Sequence, residues 1–63
     1  MQFNVHATLS NGATVFQGFM NYIPRKGEEV DINGHVLSVE NVRYILKDYP
    51  QAYTQVLLRL KFV

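Results

Sequence analysis

The segment Pro24–Val39 constrains the fold more than any other part of this chain. Its centre is Asn33-Gly34, which follows the alternating apolar residues Val30 and Ile32. Asn and Gly both tolerate the positive φ angles of a type I′ turn, and that turn twists in the sense that paired strands need. The segment therefore predicts a tight β-hairpin and, with it, an all-β domain.

A period-two pattern predicts the first strand. Apolar residues at Met1, Phe3, Val5, Ala7 and Leu9 alternate with polar ones, as in a half-buried strand. Ser10-Asn11-Gly12 then supplies turn residues, with Gly12 free to adopt a positive φ. We expect a hairpin to follow.

The second segment, roughly residues 13–22, is less regular. Apolar residues recur every fourth position, which allows a short helix, but Gly18, Asn21 and the β-branched and aromatic residues favour a strand. As a strand, its two faces are both apolar. One face carries Phe16, Gly18, Met20 and Tyr22, and the other carries Val15, Gln17 and Phe19. If Val15 and Phe19 fill the core, the first face is left free.

Three further strands follow. Val30 and Ile32 are expected to point inward, and so are Leu37 and Val39. The alternation slips near Glu40-Asn41 and resumes with Val42, Tyr44 and Leu46, which indicates a β-bulge. The last strand is expected to turn Val56, Leu58, Leu60 and Phe62 to one side. The sequence thus predicts a single domain, residues 1–63, built as a five-stranded, strongly bent antiparallel sheet or a partly open small barrel.

This hairpin region also carries a resemblance. Pro24, Gly27-Glu28, Val30, Ile32, Gly34 and Val39 follow the pattern P-x-x-G-[DE]-x-V-x-[IL]-x-G-x-x-x-x-V. The pattern resembles that of Src-homology-type small β-barrels, a superfold that includes the KOW and Tudor-like groups. Because this superfold has many unrelated functions, the resemblance implies an architecture and no particular role.

Composition argues against several classes of function. The chain has no cysteine, so it has neither disulfides nor a thiolate metal site, and a cytoplasmic location is expected. No signal peptide or membrane span is recognisable. His6 and His35 lie in no motif that pairs them with a nucleophile or an orienting carboxylate. We expect a protein that is not an enzyme and that needs no metal or cofactor.

The distribution of charge suggests where a partner binds. The net charge is only +1, and no Asp, Glu, Lys or Arg occurs before Arg25. An uncharged third of so small a chain must be partly buried and partly covered by something else. Aromatic residues and Met without neighbouring charges are typical of interface centres. The sequence therefore predicts an interface with a protein partner, or with another copy of the chain, at Phe16, Met20 and Tyr22. The alternative is that the barrel or a loop covers these side chains.

A nucleic-acid partner is the competing hypothesis. Basic side chains follow phosphates, and aromatic rings stack on bases. If the last two strands pair, several such residues share one face and its adjoining loop: Arg43, Lys47, Tyr49, Tyr53, Arg59 and Lys61. A solvated face of mixed charge is the alternative, because five acidic residues nearly cancel the six basic ones.

Overall fold

The computed structural model describes residues 2–47 and 53–63. These form no helix and five strands: β1 Phe3–Leu9, β2 Thr14–Met20, β3 Glu29–Ile32, β4 His35–Lys47 and β5 Tyr53–Phe62. The strands make one sheet in the order β2-β1-β5-β4-β3. The sheet curls through 224° into a half-barrel, which confirms the strongly bent all-β fold.

One strand pairing differs from the expected wholly antiparallel sheet. Three of the pairs are antiparallel, but β1 and β5 run parallel, with Val5 opposite Val56 and Ala7 opposite Leu58. Alternation along a strand specifies which residues face inward, and it does so equally well for either direction of the neighbouring strand. The direction of β5 relative to β1 is therefore a property of the assembled sheet.

The core lies on the concave side of the three central strands. Its fully buried side chains come from β1, β4 and β5, and they are Val5, Ala7, Leu37, Val39, Val56, Leu58 and Leu60. The edge strands add partly buried residues that pack against this cluster. The inward positions expected for β1 and for most of β5 are thus confirmed.

Two hairpin loops have the backbone geometry that their residues predict. Asn33 and Gly34 have φ angles of 53° and 86°, as a type I′ turn requires. In the β1–β2 loop, Gly12 has a φ of 90° and its N–H donates to the carbonyl of Leu9 at 2.9 Å. Both hairpins are therefore fixed by local sequence.

β2 is a strand, as predicted, but its faces differ from the prediction. Its register with β1 shifts between Ala7 and Thr8, where Val15 is an extra residue. This β-bulge places the neighbours Val15 and Phe16 both against the core. Phe19, which simple alternation puts on the same face as Val15, is 67% exposed, because the phase of alternation changes at the bulge.

The bulge predicted in β4 is confirmed, with one difference beyond it. Val39 pairs with Leu60 and Asn41 pairs with Arg59, so Glu40 is the extra residue. Val42 then packs against the core. Tyr44 and Leu46 continue the same alternation but are 55% and 56% exposed, so the buried core does not extend to the end of β4.

Candidate binding groove

The open side of the half-barrel forms a groove between its two edge strands. β2 and β3 are the first and last strands of the sheet, and within residues 2–47 and 53–63 neither has a strand paired to its outer edge. A groove of about 630 Å³ lies between them. We call it the seam groove. Its apolar lining is Val15, Phe16, Met20, Val30 and Ile32.

The three residues of the predicted interface all line this groove. Phe16 and Met20 are half-buried and pack against the core on one side. Tyr22 is 71% exposed at the rim. The side chains are therefore neither sealed inside the molecule nor raised on a separate outer face, and their free surface points into the groove.

The two walls of the groove differ in charge. β3 contributes the exposed carboxylates of Glu29 and Asp31 to its rim. The opposite wall, β2, contains no charged residue. The Asp31 carboxylate also accepts a hydrogen bond from the N–H of Gly34 at 3.0 Å, so it belongs to the hairpin turn as well as to the rim.

Sequence reasoning missed the β3 half of the groove. Val30 and Ile32 point inward and pack against the core, as predicted, but the sequence did not indicate that they also line an open groove. The signal that indicates an edge strand is the shortness of β3 together with its outward Glu29 and Asp31, since short, charged strands are typical of sheet edges.

The basic residues of the competing hypothesis lie on the convex face. Arg59 pairs with Asn41, Lys61 with Ser38 and Arg43 with Leu57. Arg43 and Arg59 line one shallow depression of about 260 Å³ beside Thr8. The structure therefore brings Arg43, Arg59 and Lys61 onto one face, opposite the seam groove.

The other residues of that hypothesis are only partly described. Lys47 and Tyr53 pair with each other at the end of the β4–β5 ladder, so Tyr53 begins a strand and does not belong to the loop. The side chains of these two residues, and all of Tyr49, lie outside the described part of the structure.

The two histidines occupy different surroundings. His6, on β1, is hydrogen-bonded through Nε2 to Thr14 Oγ1 at 2.8 Å. His35 follows the type I′ turn and stands edge-on to Phe62, with ring centroids 6.1 Å apart. Within residues 2–47 and 53–63, no group of three His, Asp or Glu side chains is arranged to hold a metal ion.

The described strands and loops contain no helix that is long and apolar enough to cross a membrane. Comparison with known proteins gives no family model, no curated protein and no solved structure that matches this chain. The function is therefore inferred from the seam groove and the convex face.

Proposed function

We propose that this protein is a non-catalytic binding module that holds an extended polypeptide segment, from another protein or from a second copy, in the seam groove. One observation supports the proposal above all: Phe16, Met20 and Tyr22 meet Val30 and Ile32 between the edges of the first and last strands of the sheet. An edge supplies main-chain hydrogen bonds, and an apolar groove beside it supplies side-chain contacts. Together they suit an extended chain.

Burial of the groove lining supplies the driving force. Covering apolar surface contributes about 25 cal/mol per Å², which is offset in part by the lost freedom of the two partners. Phe16 and Met20 are already held against the core, so binding costs little further side-chain ordering there. A partly ordered apolar floor is a better binding surface than mobile side chains on a free face.

Kinship and location form a second part of the proposal. The residue pattern of Pro24–Val39 supports a relation to Src-homology-type barrels, although the parallel β1–β5 pairing differs from the antiparallel sheet that this relation implies. The absence of cysteine from the chain supports a reducing compartment such as the cytoplasm. The binding proposed for the seam groove depends on neither the relation nor the location.

Peptide selection with two matched variants tests the function. A displayed library of random peptides is selected on the wild-type protein, and the selected peptides are measured against Tyr22→Ser and Tyr44→Ser. Both tyrosines are exposed, but Tyr22 lines the seam groove and Tyr44 does not. We expect Tyr22→Ser to weaken binding about tenfold, or ~1.4 kcal/mol, and Tyr44→Ser to leave it unchanged.

Two results would contradict the proposal. One is a set of selected peptides that binds Tyr22→Ser as tightly as the wild type. The other is a library that yields no binder for a protein whose solution mass also stays monomeric at every concentration measured by light scattering.

Nucleic-acid binding is the second candidate function. It is supported by Arg43 and Arg59, which line one depression on the convex face, and by Lys61 on the same face. In that function phosphates would follow the basic side chains, and affinity would fall steeply with salt. The faces are opposite, so substitutions can separate the two functions cleanly.

A further inference from the structure

We infer that the segment bound in the seam groove is β2 of a second copy of this chain, paired antiparallel to β2 of the first about a two-fold axis at Gly18. This inference rests on the proposed function, because it fills the same groove with a named occupant. It follows from three features of the edge strands: their charge, the direction of their main-chain groups, and the register that β2 allows.

Charge distinguishes the two available edges. Folded proteins protect exposed strand edges with charged side chains, proline or very short strands. β3 has four residues, of which Glu29 and Asp31 are acidic, and symmetric pairing of two β3 strands would bring these carboxylates together. β2 has seven residues and no charge or proline. The β2 edge is therefore open to β2 of a second copy, whereas two β3 edges would repel each other.

Main-chain geometry shows which groups of β2 are free to pair. The N–H of Leu9 donates to the carbonyl of Ala13 at 2.9 Å, so the main-chain groups of Leu9 point toward β2. Alternation along β1 gives Val5 the same direction, and Val5 lies opposite Gly18. The intervening residues of β2, Gln17 and Phe19, then direct their N–H and C=O groups outward.

The register follows from the bulge. β2 is irregular at Val15, so its uninterrupted part runs over residues 16–20, and the middle of that part is Gly18. Antiparallel pairing about Gly18 sets Gln17 opposite Phe19 of the second copy, and both have outward main-chain groups. Each such pair exchanges two N–H···O bonds.

Side chains on the groove side fit the same register. It places Phe16 opposite Met20 of the second copy, and a thioether beside an aromatic ring is a favourable contact. At the axis, Gly18 faces Gly18 of the second copy, which leaves space between the strands. The ring of Phe16 already lies over this glycine, since a Cβ built on Gly18 would be 3.4 Å from Phe16 Cζ. Because Gly18 has no side chain, the two β2 strands can approach closely at the axis, where the Phe16 rings of the two copies converge.

Single-cysteine crosslinking tests the register directly, because the chain has no cysteine of its own. Two Gly18→Cys residues would face each other at the axis as a pair without main-chain hydrogen bonds, with Cα atoms about 4.5 Å apart. That distance permits a disulfide. Mild oxidation of Gly18→Cys should therefore give a covalent dimer at protein concentrations where light scattering finds the wild type associated.

Variants at the neighbouring positions provide the controls and do not depend on Gly18. Gln17→Cys alone and Phe19→Cys alone should crosslink poorly, because position 17 lies opposite position 19 of the second copy and not opposite itself. A mixture of the two should form the mixed dimer readily. Both side chains are exposed, so these variants should fold even if Gly18→Cys does not.

The outcomes separate this inference from the proposed function. A monomeric wild type that still binds selected peptides through Tyr22 would overturn the second copy and leave the groove function intact. An associated wild type in which neither Gly18→Cys nor the Gln17→Cys and Phe19→Cys mixture crosslinks would overturn the β2 pairing. Crosslinking of Gln17→Cys or Phe19→Cys with itself in preference to Gly18→Cys would overturn the register.

Discussion

Val39 is hydrogen-bonded to two consecutive residues across the β3–β4 hairpin, Gly27 and Glu28. Its N–H donates to the carbonyl of Glu28 at 2.8 Å, and its own carbonyl accepts from the N–H of Gly27 at 2.9 Å. Gly27 has a φ of 92°, and the N–H of Glu28 closes a turn onto the carbonyl of Arg25 at 3.0 Å. Val39 itself is buried. The turn at Gly27 is thereby locked to the core.

Substitution of Gly27 should cost stability through its backbone. A Cβ at this position would meet nothing within 4 Å, so the penalty comes from the left-handed conformation, about 1–2 kcal/mol for a residue with a Cβ. We expect Gly27→Ala to lower the free energy of unfolding by that amount in urea denaturation. Gly27→Asn is the control, because asparagine adopts the left-handed conformation more readily than alanine does. An equal loss for both variants would contradict this explanation.

Neighbouring leucines on β5 should differ sharply in their contribution to stability. Leu58 is 2% exposed in the core, whereas Leu57 lies on the convex face and is half-buried. Leu58→Ala should cost about 2–5 kcal/mol, a large part of the ~3–9 kcal/mol available to a chain of 63 residues. We expect Leu58→Ala to unfold the protein or to lower its urea midpoint strongly, and Leu57→Ala to shift the urea midpoint only slightly. Similar shifts for both would contradict the assigned faces.

Local features of the fold were predictable because local chemistry determines them. Alternation defined β1 and most of β5, Asn33-Gly34 defined a hairpin, and the slip at Glu40 marked the β4 bulge. Each of these depends on residues within a few positions of one another. The three residues of the predicted interface also meet in one groove.

Two other features depend on the assembled sheet. The parallel pairing of β1 with β5 joins residues about fifty positions apart, and alternation does not encode its direction. The bulge at Val15 reverses which face of β2 the later residues occupy. Both faces are apolar, so no contrast between polar and apolar positions marks where the bulge lies. For that reason alternation alone puts Val15 and Phe19 on one face, although the structure packs Val15 against the core and exposes Phe19.

Asn33 should tolerate glycine but not a β-branched residue. Among the described residues it is the non-glycine position with positive φ, at 53°. Asn33→Val should destabilise the hairpin by about 1–2 kcal/mol, and Asn33→Gly should change stability little, because glycine also suits a type I′ turn. Thermal unfolding monitored by circular dichroism compares the two. A stable Asn33→Val variant would indicate that the β3–β4 hairpin contributes little to the fold.

Charge reversal on the convex face decides between the two candidate functions. We expect Arg59→Glu with Lys61→Glu to leave peptide binding in the seam groove unchanged, because both side chains project from the opposite face of the sheet. Nucleic-acid binding predicts a different result. The affinity for a single-stranded oligonucleotide should fall as salt is added, with a slope of about −2 in a plot of log affinity against log salt concentration for three basic contacts. The two substitutions should abolish this binding.

Matched single variants remove the effect of net charge alone. Arg59→Glu and Arg25→Glu change the net charge by the same amount, but Arg59 lies on the convex face, whereas Arg25 precedes β3 and lies beside Ile23 and Tyr44. Oligonucleotide affinity measured by fluorescence anisotropy at several salt concentrations compares the two variants with the wild type. Salt-dependent binding that Arg59→Glu weakens and Arg25→Glu retains would assign the function to the convex face. Peptide binding that survives both substitutions, without oligonucleotide binding by the wild type, would assign it to the seam groove.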